Sequence, residues 1–396
     1  MAAGHDPSKR TPLSLLREFS IPLIAGVVAA LVWANLSPGT YHHFIHEAMW
    51  GVASLHFWTN EVFMVFFFGL AAVEIVDSLL PGGNLNPPRK AVSPLLATAG
   101  GIFGPALTFL LLNWLIGGPQ YTRGWGITTA TDIAIAWLVA RIVFGRGHPA
   151  ISFLLVLAVA DDAIGLAIIA VFYPDPAHPV QVWPLLLVAA AMGIAWGLRR
   201  WGVNTYWPYL LLAGLASWYG LYLAHLHPAL ALVFVVPFMP HTVHPTDESA
   251  FDVHPEEPSA LSRFEQDWKV VVDFGLLLFG LANAGVQFAD VNVVTWLIFI
   301  SLVAGKTIGI FFLAQLGRML GYPLPDRVGT AELIVMGMIA GIGLTVALFV
   351  ATAAFGDPTT QAAAKMGALF SVLAAPIAIV TARLLGIRPR REPFPE

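Results

Sequence analysis

Long apolar runs separated by short polar connections dominate this chain, and few folds accept such a pattern. Of its 396 residues, 57% are hydrophobic and only 11% are charged. Soluble globular domains carry about 25% charged residues, so the composition excludes a soluble core of this size. Apolar runs of roughly 17–25 residues are long enough to cross a bilayer as helices. The sequence therefore predicts an all-α membrane protein that forms a single domain over residues 1–396.

Twelve apolar runs are candidate transmembrane spans, although some of them are short or broken. They cover residues 20–37, 60–80, 91–116, 124–143, 150–172, 181–198, 206–225, 228–240, 270–288, 293–316, 330–352 and 360–384. Most connections between them are short and rich in Pro, Gly and charge. The exception is residues 241–269, a polar and acidic stretch that we predict to be a mobile cytoplasmic loop.

The placement of the basic residues predicts the orientation of the chain. Alternate connections and both termini hold most of the 20 Lys and Arg residues. The positive-inside rule then puts both termini in the cytoplasm. The sequence has no basic patch or basic tail of the kind that binds nucleic acid. The chain has no cysteine, which excludes disulfides, thiol catalysis and Cys-ligated metal sites.

Asp161 and Asp162 lie side by side near the middle of the fifth apolar run. A charge inside a span costs about 2.5–3.5 kcal/mol on insertion scales, so such residues are functional candidates. Adjacent helical residues point about 100° apart, so the two carboxylates share one cavity but face different partners. Two close carboxylates resist ionising together, and their titration is coupled. This suits the exchange of a proton for a cation. The alternative is a pair with a purely structural role, which only provides polar partners for neighbouring helices.

The fourth run carries a third acid, in the segment GWGITTATDIAIAWL. Gly126 and three threonines before Asp132 weaken the helix and offer hydroxyl and carbonyl oxygens. Hard cations such as Na⁺ prefer oxygen ligands. Asp132, with Thr131 before it, could therefore bind a cation, or could instead compensate the dipole ends of a broken helix.

Lys306 lies in mid-span in the tenth run and needs an anionic partner, for which Asp161 is the natural candidate. The lysine could carry a proton or form a purely structural ion pair. Gly337, Gly341 and Gly343 in the eleventh run are too many for a simple helix. Spans four and eleven thus have the pattern of paired interrupted helices in an inverted-repeat transporter, although small residues can also serve tight helix packing.

Taken together, the motifs resemble the NhaA family of sodium/proton antiporters nearly from end to end. The resemblance rests on five blocks in order: TRGWGITTATDIAIA, LAVADDAIGLAIIAVFY, GLANAGV, AGKTIGI and GIGLTVALFVATAAFG. It implies a core bundle of spans 3–5 and 10–12, built as inverted repeats in which the discontinuous spans 4 and 11 cross. It also implies an interface bundle from the remaining spans, and a homodimer. The protein would reside in the bacterial cytoplasmic (inner) membrane.

The resemblance further implies an activity and its residues. The chain would be a secondary transporter rather than an enzyme, exporting Na⁺ or Li⁺ in exchange for H⁺, with no cofactor besides the transported ions. Asp162 resembles the principal Na⁺ ligand, helped by Asp161, which would also pair with Lys306. Asp132 and Thr131 match the acid and the threonine at the broken helix. Exchange would be electrogenic if both acids, or Asp161 with Lys306, deliver protons.

Three further residues match positions that the family links to pH response or to the entrance funnels, and a fourth is an acid left where this sequence replaces the family's His-rich entrance to span nine. They are Glu61, Glu74, His227 and Glu265. A related fold that carries organic anions with sodium remains the rival function. A separate feature is the spacing of His42 and His46, which are four residues apart as in metal sites; a solvated outer segment is the simpler interpretation.

Overall fold

The computed structural model describes residues 21–49, 53–80, 88–145, 147–174, 179–241, 259–325, 327–387 and 389. Its α-helices are α1 Ile21–Leu36, α2 Pro38–His46, α3 Leu55–Leu79, α4 Pro88–Ile116, α5 Ile133–Phe144, α6 Pro149–Phe172, α7 Leu185–Arg200, α8 Tyr209–Leu223, α9 Ala260–Asn283, α10 Val293–Met319, α11 Thr330–Ala340, α12 Thr345–Ala354 and α13 Pro358–Leu384. The 3₁₀ segments are Pro119–Thr129, Pro228–Phe234, Val236–Phe238 and Phe288–Asp290. Two short strands, β1 Ala48–Met49 and β2 Ala53–Ser54, pair antiparallel between α2 and α3.

The described residues confirm an all-α membrane architecture. Five helices (α3, α4, α6, α10 and α13) are long and apolar enough to cross a membrane, and the number rises to seven if each of two bent pairs is one span. A helix overlaps each of the twelve predicted runs, but several are short. The 16 residues of α1, for example, extend only about 24 Å at 1.5 Å per residue. A hydrocarbon core is about 30 Å thick, so the count of twelve stays a prediction.

Two helix pairs are interrupted where the glycine and threonine patterns predicted it. The 3₁₀ segment Pro119–Thr129 and α5 meet at 57°, and α11 and α12 meet at 53°. The breaks lie at residues 130–132 and 341–344, and they touch each other: the backbone N–H of Asp132 donates to the carbonyl oxygen of Ile342 at 2.6 Å. Unwound backbone at membrane depth is tolerated only where protein or a cavity covers it, and here each break covers the other.

Glycines bring α4 and α10 into backbone contact beside these breaks. A Cβ atom on Gly100 would collide with the carbonyl oxygen of Gly309, and one on Gly309 would collide with that of Gly100. Gly104 makes the same kind of close approach to Gly305. Small residues at such positions let membrane helices pack without intervening side chains. The contact fixes α10 against α4 just where α10 carries Lys306.

The predicted loop 241–269 ends earlier than expected. Residues 242–258 lie outside the described residues, but α9 begins at Ala260, so the prediction that 260–269 is loop was wrong. The hydroxyl of Ser259 caps the helix by accepting from the N–H of Ser262 at 3.2 Å. The first turns of α9 are rich in polar residues, which made the segment look like a loop. Its apolar residues nevertheless have helical spacing, and two of them, Leu261 and Phe264, are buried. Capping residues followed by a period near 3.6 are the signal for such a start.

Candidate functional site

Asp161 and Lys306 form a buried ion pair at the centre of the helix bundle. The Lys306 ammonium donates to Oδ2 of Asp161 at 2.7 Å, and the two side chains are 0% and 1% exposed. The same ammonium donates to the carbonyl oxygen of Thr129 at 2.5 Å. The hydroxyl of Thr131 also lies 2.7 Å from Oδ2 of Asp161. The pairing expected from the sequence is therefore present, and the unwound segment before α5 supplies two further oxygens to it.

The local backbone of α10 explains how a lysine reaches this depth. Residues Ser301–Gly305 form one π-helical turn immediately before Lys306. Such turns shift the direction of the following side chains and are frequent at functional sites. The close packing on α4 then places Lys306 beside Gly101, where an added Cβ would lie 3.5 Å from the lysine Cε.

Asp132 joins the two interrupted helices. Its Oδ1 accepts from the N–H of Ile135 at 3.1 Å, which caps the N-terminus of α5. Its Oδ2 accepts from the hydroxyl of Thr345 at 2.6 Å and from the N–H of Thr345 at 3.3 Å, at the N-terminus of α12. A carboxylate stabilises the positive end of a helix dipole, and here one carboxylate serves two. These contacts are the ones that dipole compensation requires.

The remaining polar groups of the break find partners in other helices. The N–H of Gly343 donates to the hydroxyl of Ser371 at 3.1 Å, and that hydroxyl donates to the carbonyl oxygen of Ala368. The hydroxyl of Thr131 has a second acceptor within reach, the carbonyl oxygen of Ala340 at 3.0 Å. Because a hydroxyl has one hydrogen, Thr131 can bond either α11 or Asp161 at one time.

Asp162 lines a cavity of about 520 Å³, which we call the Asp162 cavity; Asp161 and Lys306 are not among its lining residues. The cavity is also lined by Thr131, Asp132 and Thr345. Carboxylate and hydroxyl oxygens are the ligands that hard monovalent and divalent cations accept. The adjacent acids thus have different surroundings: Asp161 is paired with Lys306, and Asp162 lines the cavity.

The Asp162 cavity extends to charged residues at the ends of α3 and α9. Glu74, Glu265 and Lys269 line it together with Asp273. The ammonium of Lys269 lies 3.6 Å from Oε1 of Glu265, and these side chains are 51% and 36% exposed. An exposed pair of this kind contributes little to stability, so its position at the cavity wall matters more than its energy.

A second cavity of about 600 Å³, the His227 cavity, lies at the other end of α12. Glu61 and His227 line it. Thr345 and Val346 at one end of α12 line the Asp162 cavity, whereas Thr352 and Ala353 at its other end line the His227 cavity. The four candidates for pH response thus divide, two to each cavity.

Phe349 lies on α12 between the two cavities. It is 3% exposed, and its ring centroid lies 5.2 Å from that of Phe68 and 5.4 Å from that of His227. Edge-to-face contacts of this kind hold aromatic rings in place. Phe349 and its two ring partners thus lie on the stretch of α12 between the residues that line the two cavities.

Sequence reasoning missed Thr345, Ser371 and the carbonyl of Thr129. The first could have been found, because Thr345 follows GIGL at the point where the glycines end and a helix restarts. The other two depend on contacts between distant helices and leave no local signal. Among the described residues, no group of three or more His, Asp or Glu side chains is arranged to bind a metal ion.

Two interrupted helices in contact beside a buried acid pair and a cavity are typical of secondary ion transporters. The family model described as Na⁺/H⁺ antiporter 1 matches residues 15–383. A Na⁺/H⁺ antiporter NhaA of Geobacter metallireducens is 61% identical over 381 residues, covering 96% of this chain and 99% of that protein. One of Desulfitobacterium hafniense is 59% identical, covering 96% and 98%. The chain belongs to the NhaA family of Na⁺/H⁺ antiporters.

A solved structure shares the fold at much lower sequence similarity. The sodium proton antiporter MjNhaP1 from Methanocaldococcus jannaschii superposes with a TM-score of 0.50 at 13% identity, over 92% of this chain and 91% of that one. At this identity the likeness concerns the fold alone. It agrees with a multi-pass helical membrane protein.

Proposed function

We propose that this protein exchanges Na⁺ or Li⁺ for H⁺ at Asp162. The single observation that carries the proposal is the division of the acid pair: Asp162 lines a cavity together with Thr131, Asp132 and Thr345, which carry oxygen atoms, while Asp161 is held by Lys306. Deprotonated Asp162 binds the cation, with Asp161 and the hydroxyl of Thr131 as neighbouring oxygens. Protonation removes the negative charge and releases the cation. Since proton and cation compete for one carboxylate, the transport rate rises and then falls with pH.

Alternating access around a fixed site completes the cycle. The described conformation supports this, because the Asp162 cavity reaches the exposed pair Glu265–Lys269 and packed rings at Phe349 lie between the residues that line it and those that line the His227 cavity. In the alternate conformation the rings part and Asp162 meets the other side. The proposed frame is twelve spans, with spans 3–5 and 10–12 as inverted repeats forming a core that moves against the remaining spans.

The direction of exchange follows from the proposed orientation. With both termini in the cytoplasm of a bacterial inner membrane, the Asp162 cavity faces inwards and the His227 cavity outwards. An inward proton gradient then drives Na⁺ out. Exchange is electrogenic if Asp162 and the Asp161–Lys306 pair together carry more protons than the charge of the exported cation. A homodimer, assembled through the interface bundle, is the proposed state in the membrane.

The residues at the two cavity walls are proposed to set the pH response. Glu74 and Glu265 line the inner cavity and change its charge when they titrate, whereas Glu61 and His227 do so at the outer one. Because Glu74 and Glu265 line the same cavity as Asp162, a change in their charge changes the local cation concentration at that carboxylate.

Everted membrane vesicles test the proposal directly. Na⁺ added to vesicles with an established proton gradient should collapse the gradient, and Asp162→Asn should abolish this response. Asp290→Asn, at an exposed 3₁₀ turn outside both cavities, is the matched control and should behave as wild type. Retained exchange in Asp162→Asn would refute the assignment. Proton movement with Na⁺ and no organic anion present excludes the rival carrier.

The absence of native cysteine gives a second test, of orientation and access. Single cysteines replace Leu70 in the Asp162 cavity and Leu226 in the His227 cavity. A membrane-impermeant maleimide should label Leu70→Cys from the cytoplasmic side and Leu226→Cys from the opposite side. Labelling of both from one side would contradict the two-sided arrangement.

A further inference from the structure

The side chain of Tyr173 ties α6 to the 3₁₀ half of the interrupted span four. Tyr173 directly follows the last residue of α6 and is 1% exposed. Its hydroxyl donates to the carbonyl oxygen of Arg123 at 2.5 Å and accepts from the N–H of Gly126 at 2.8 Å. Backbone groups of a short helix in a membrane need partners from elsewhere in the protein. One buried hydroxyl thus supplies two of them to the segment Pro119–Thr129.

The sequence of the segment is built for this close approach. A Cβ atom on Gly126 would collide with the hydroxyl and ring of Tyr173, and one on Gly124 would collide with the ring of a phenylalanine of α4. Between these two glycines, the ring of Trp125 packs edge-to-face on that of Phe172 at 5.3 Å. The contact between the 3₁₀ segment and the end of α6 is therefore a fitted one, which an added methyl group would disturb.

Hydrogen bonds lead from this contact to the buried ion pair. The hydroxyl of Thr129 donates at 2.9 Å to the carbonyl oxygen of the glycine that Tyr173 holds. The carbonyl oxygen of Thr129 accepts from Lys306 at 2.5 Å, and two residues later the hydroxyl of Thr131 lies 2.7 Å from Oδ2 of Asp161. Helix α6 thus holds the segment at two points, which are Asp161 and, about three helical turns later, Tyr173.

We propose that Tyr173 is a positioning residue for cation exchange. Its hydroxyl sets the place of the oxygen atoms that Thr129 and Thr131 present to the buried site, and it lines neither cavity itself. The 3₁₀ half of span four and α6 then move as one body during alternating access. The inference rests on the proposed function, because the positioned oxygens matter only if Asp162 and its neighbours bind the cation.

The Na⁺ dependence of exchange in everted vesicles tests this role. Tyr173→Phe removes only the hydroxyl. The apparent KM for Na⁺ should rise about fivefold, the factor that one net hydrogen bond is worth, while the maximal rate per folded protein should change less than about twofold. Tyr219→Phe is the matched control, because Tyr219 is 52% exposed on α8 and lines neither cavity; its KM should equal that of wild type.

A second substitution distinguishes positioning from a general loss of stability. If Tyr173 acts through the segment that carries Thr131, the two groups are coupled. The rise in KM for Tyr173→Phe combined with Thr131→Val should then be smaller than the product of the two single rises. A combined rise equal to that product would overturn the proposal, and so would a wild-type KM in Tyr173→Phe.

Two further measurements guard against a variant that does not fold. Gly126→Ala disturbs the same contact from the other side and should also raise the KM for Na⁺. In wild type, hydrogen–deuterium exchange should be as slow in residues 124–131 as in α6, and fast exchange there would contradict the clamp. Loss of exchange in Asp162→Asn together with a wild-type KM in Tyr173→Phe overturns this inference alone, whereas exchange retained in Asp162→Asn overturns the proposed function beneath it.

Discussion

Neutralising Lys306 should destabilise the protein far more than neutralising a surface lysine. Lys306→Gln removes an ammonium that donates to Asp161 at 2.7 Å and to the carbonyl of Thr129 at 2.5 Å. Each hydrogen bond to a charged group is worth about 1.5–3 kcal/mol. The two together give about 3–6 kcal/mol. Measured losses on breaking buried ion pairs are about 3–5 kcal/mol, so the two routes to the magnitude agree.

The double variant distinguishes the energy of the interaction between the two groups from the contribution of each group alone. In Asp161→Asn with Lys306→Gln, no uncompensated charge stays buried, so the combined loss should be smaller than the sum of the two single losses. Thermal unfolding in detergent, followed by fluorescence, measures all four proteins. Lys269→Gln is the control, since its exposed pair with Glu265 should contribute at most about 1 kcal/mol.

The reasoning fails if Lys306→Gln shifts the melting temperature no more than Lys269→Gln does. It also fails if the losses in the double variant simply add, because the two groups would then not interact. Measuring exchange activity answers a separate question, which is whether Lys306 also takes part in transport. A Lys306→Gln protein that folds and transports at the wild-type rate would show that the lysine serves structure only.

Three other substitutions probe the remaining elements. Thr345→Val removes the hydroxyl that donates to Asp132; we expect a loss of about 1–3 kcal/mol in thermal unfolding, and Thr345→Ser should recover most of it. Phe349→Ala removes the ring between the two cavities and should let a maleimide label Leu226→Cys from the cytoplasmic side; unchanged labelling contradicts the barrier. Gly309→Ala places a methyl group against the backbone of α4 and should lower expression and melting temperature sharply, whereas Gly165→Ala, with open space around it, should not.

The sequence predicted the charged centre well because charge inside an apolar run is a strong and local signal. Asp161, Asp162 and Lys306 stand out because a charged side chain inside an apolar span costs free energy. The pairing of Asp161 with Lys306 could be predicted because the spans hold so few charges that could pair. The interruption of two helices was also predictable, since runs of Gly and Thr weaken helices wherever they occur.

Other features could not be predicted because they depend on contacts between distant segments. Asp132 had two possible roles from its position, and its contact with Thr345, which bears on one of them, leaves no signal in the sequence. The start of α9 was placed too late because the charges around Phe264 look like a loop when only their polarity is considered. Short helices such as α1 carry the same composition as full spans, so composition cannot count crossings.

The shared carboxylate of Asp132 has a mechanical consequence. It accepts hydrogen bonds at the N-termini of α5 and of α12 at once, so pulling these helices apart would break the bonds on one side. Each hydrogen bond to a charged group is worth about 1.5–3 kcal/mol. A motion that keeps these bonds carries both breaks together as one unit.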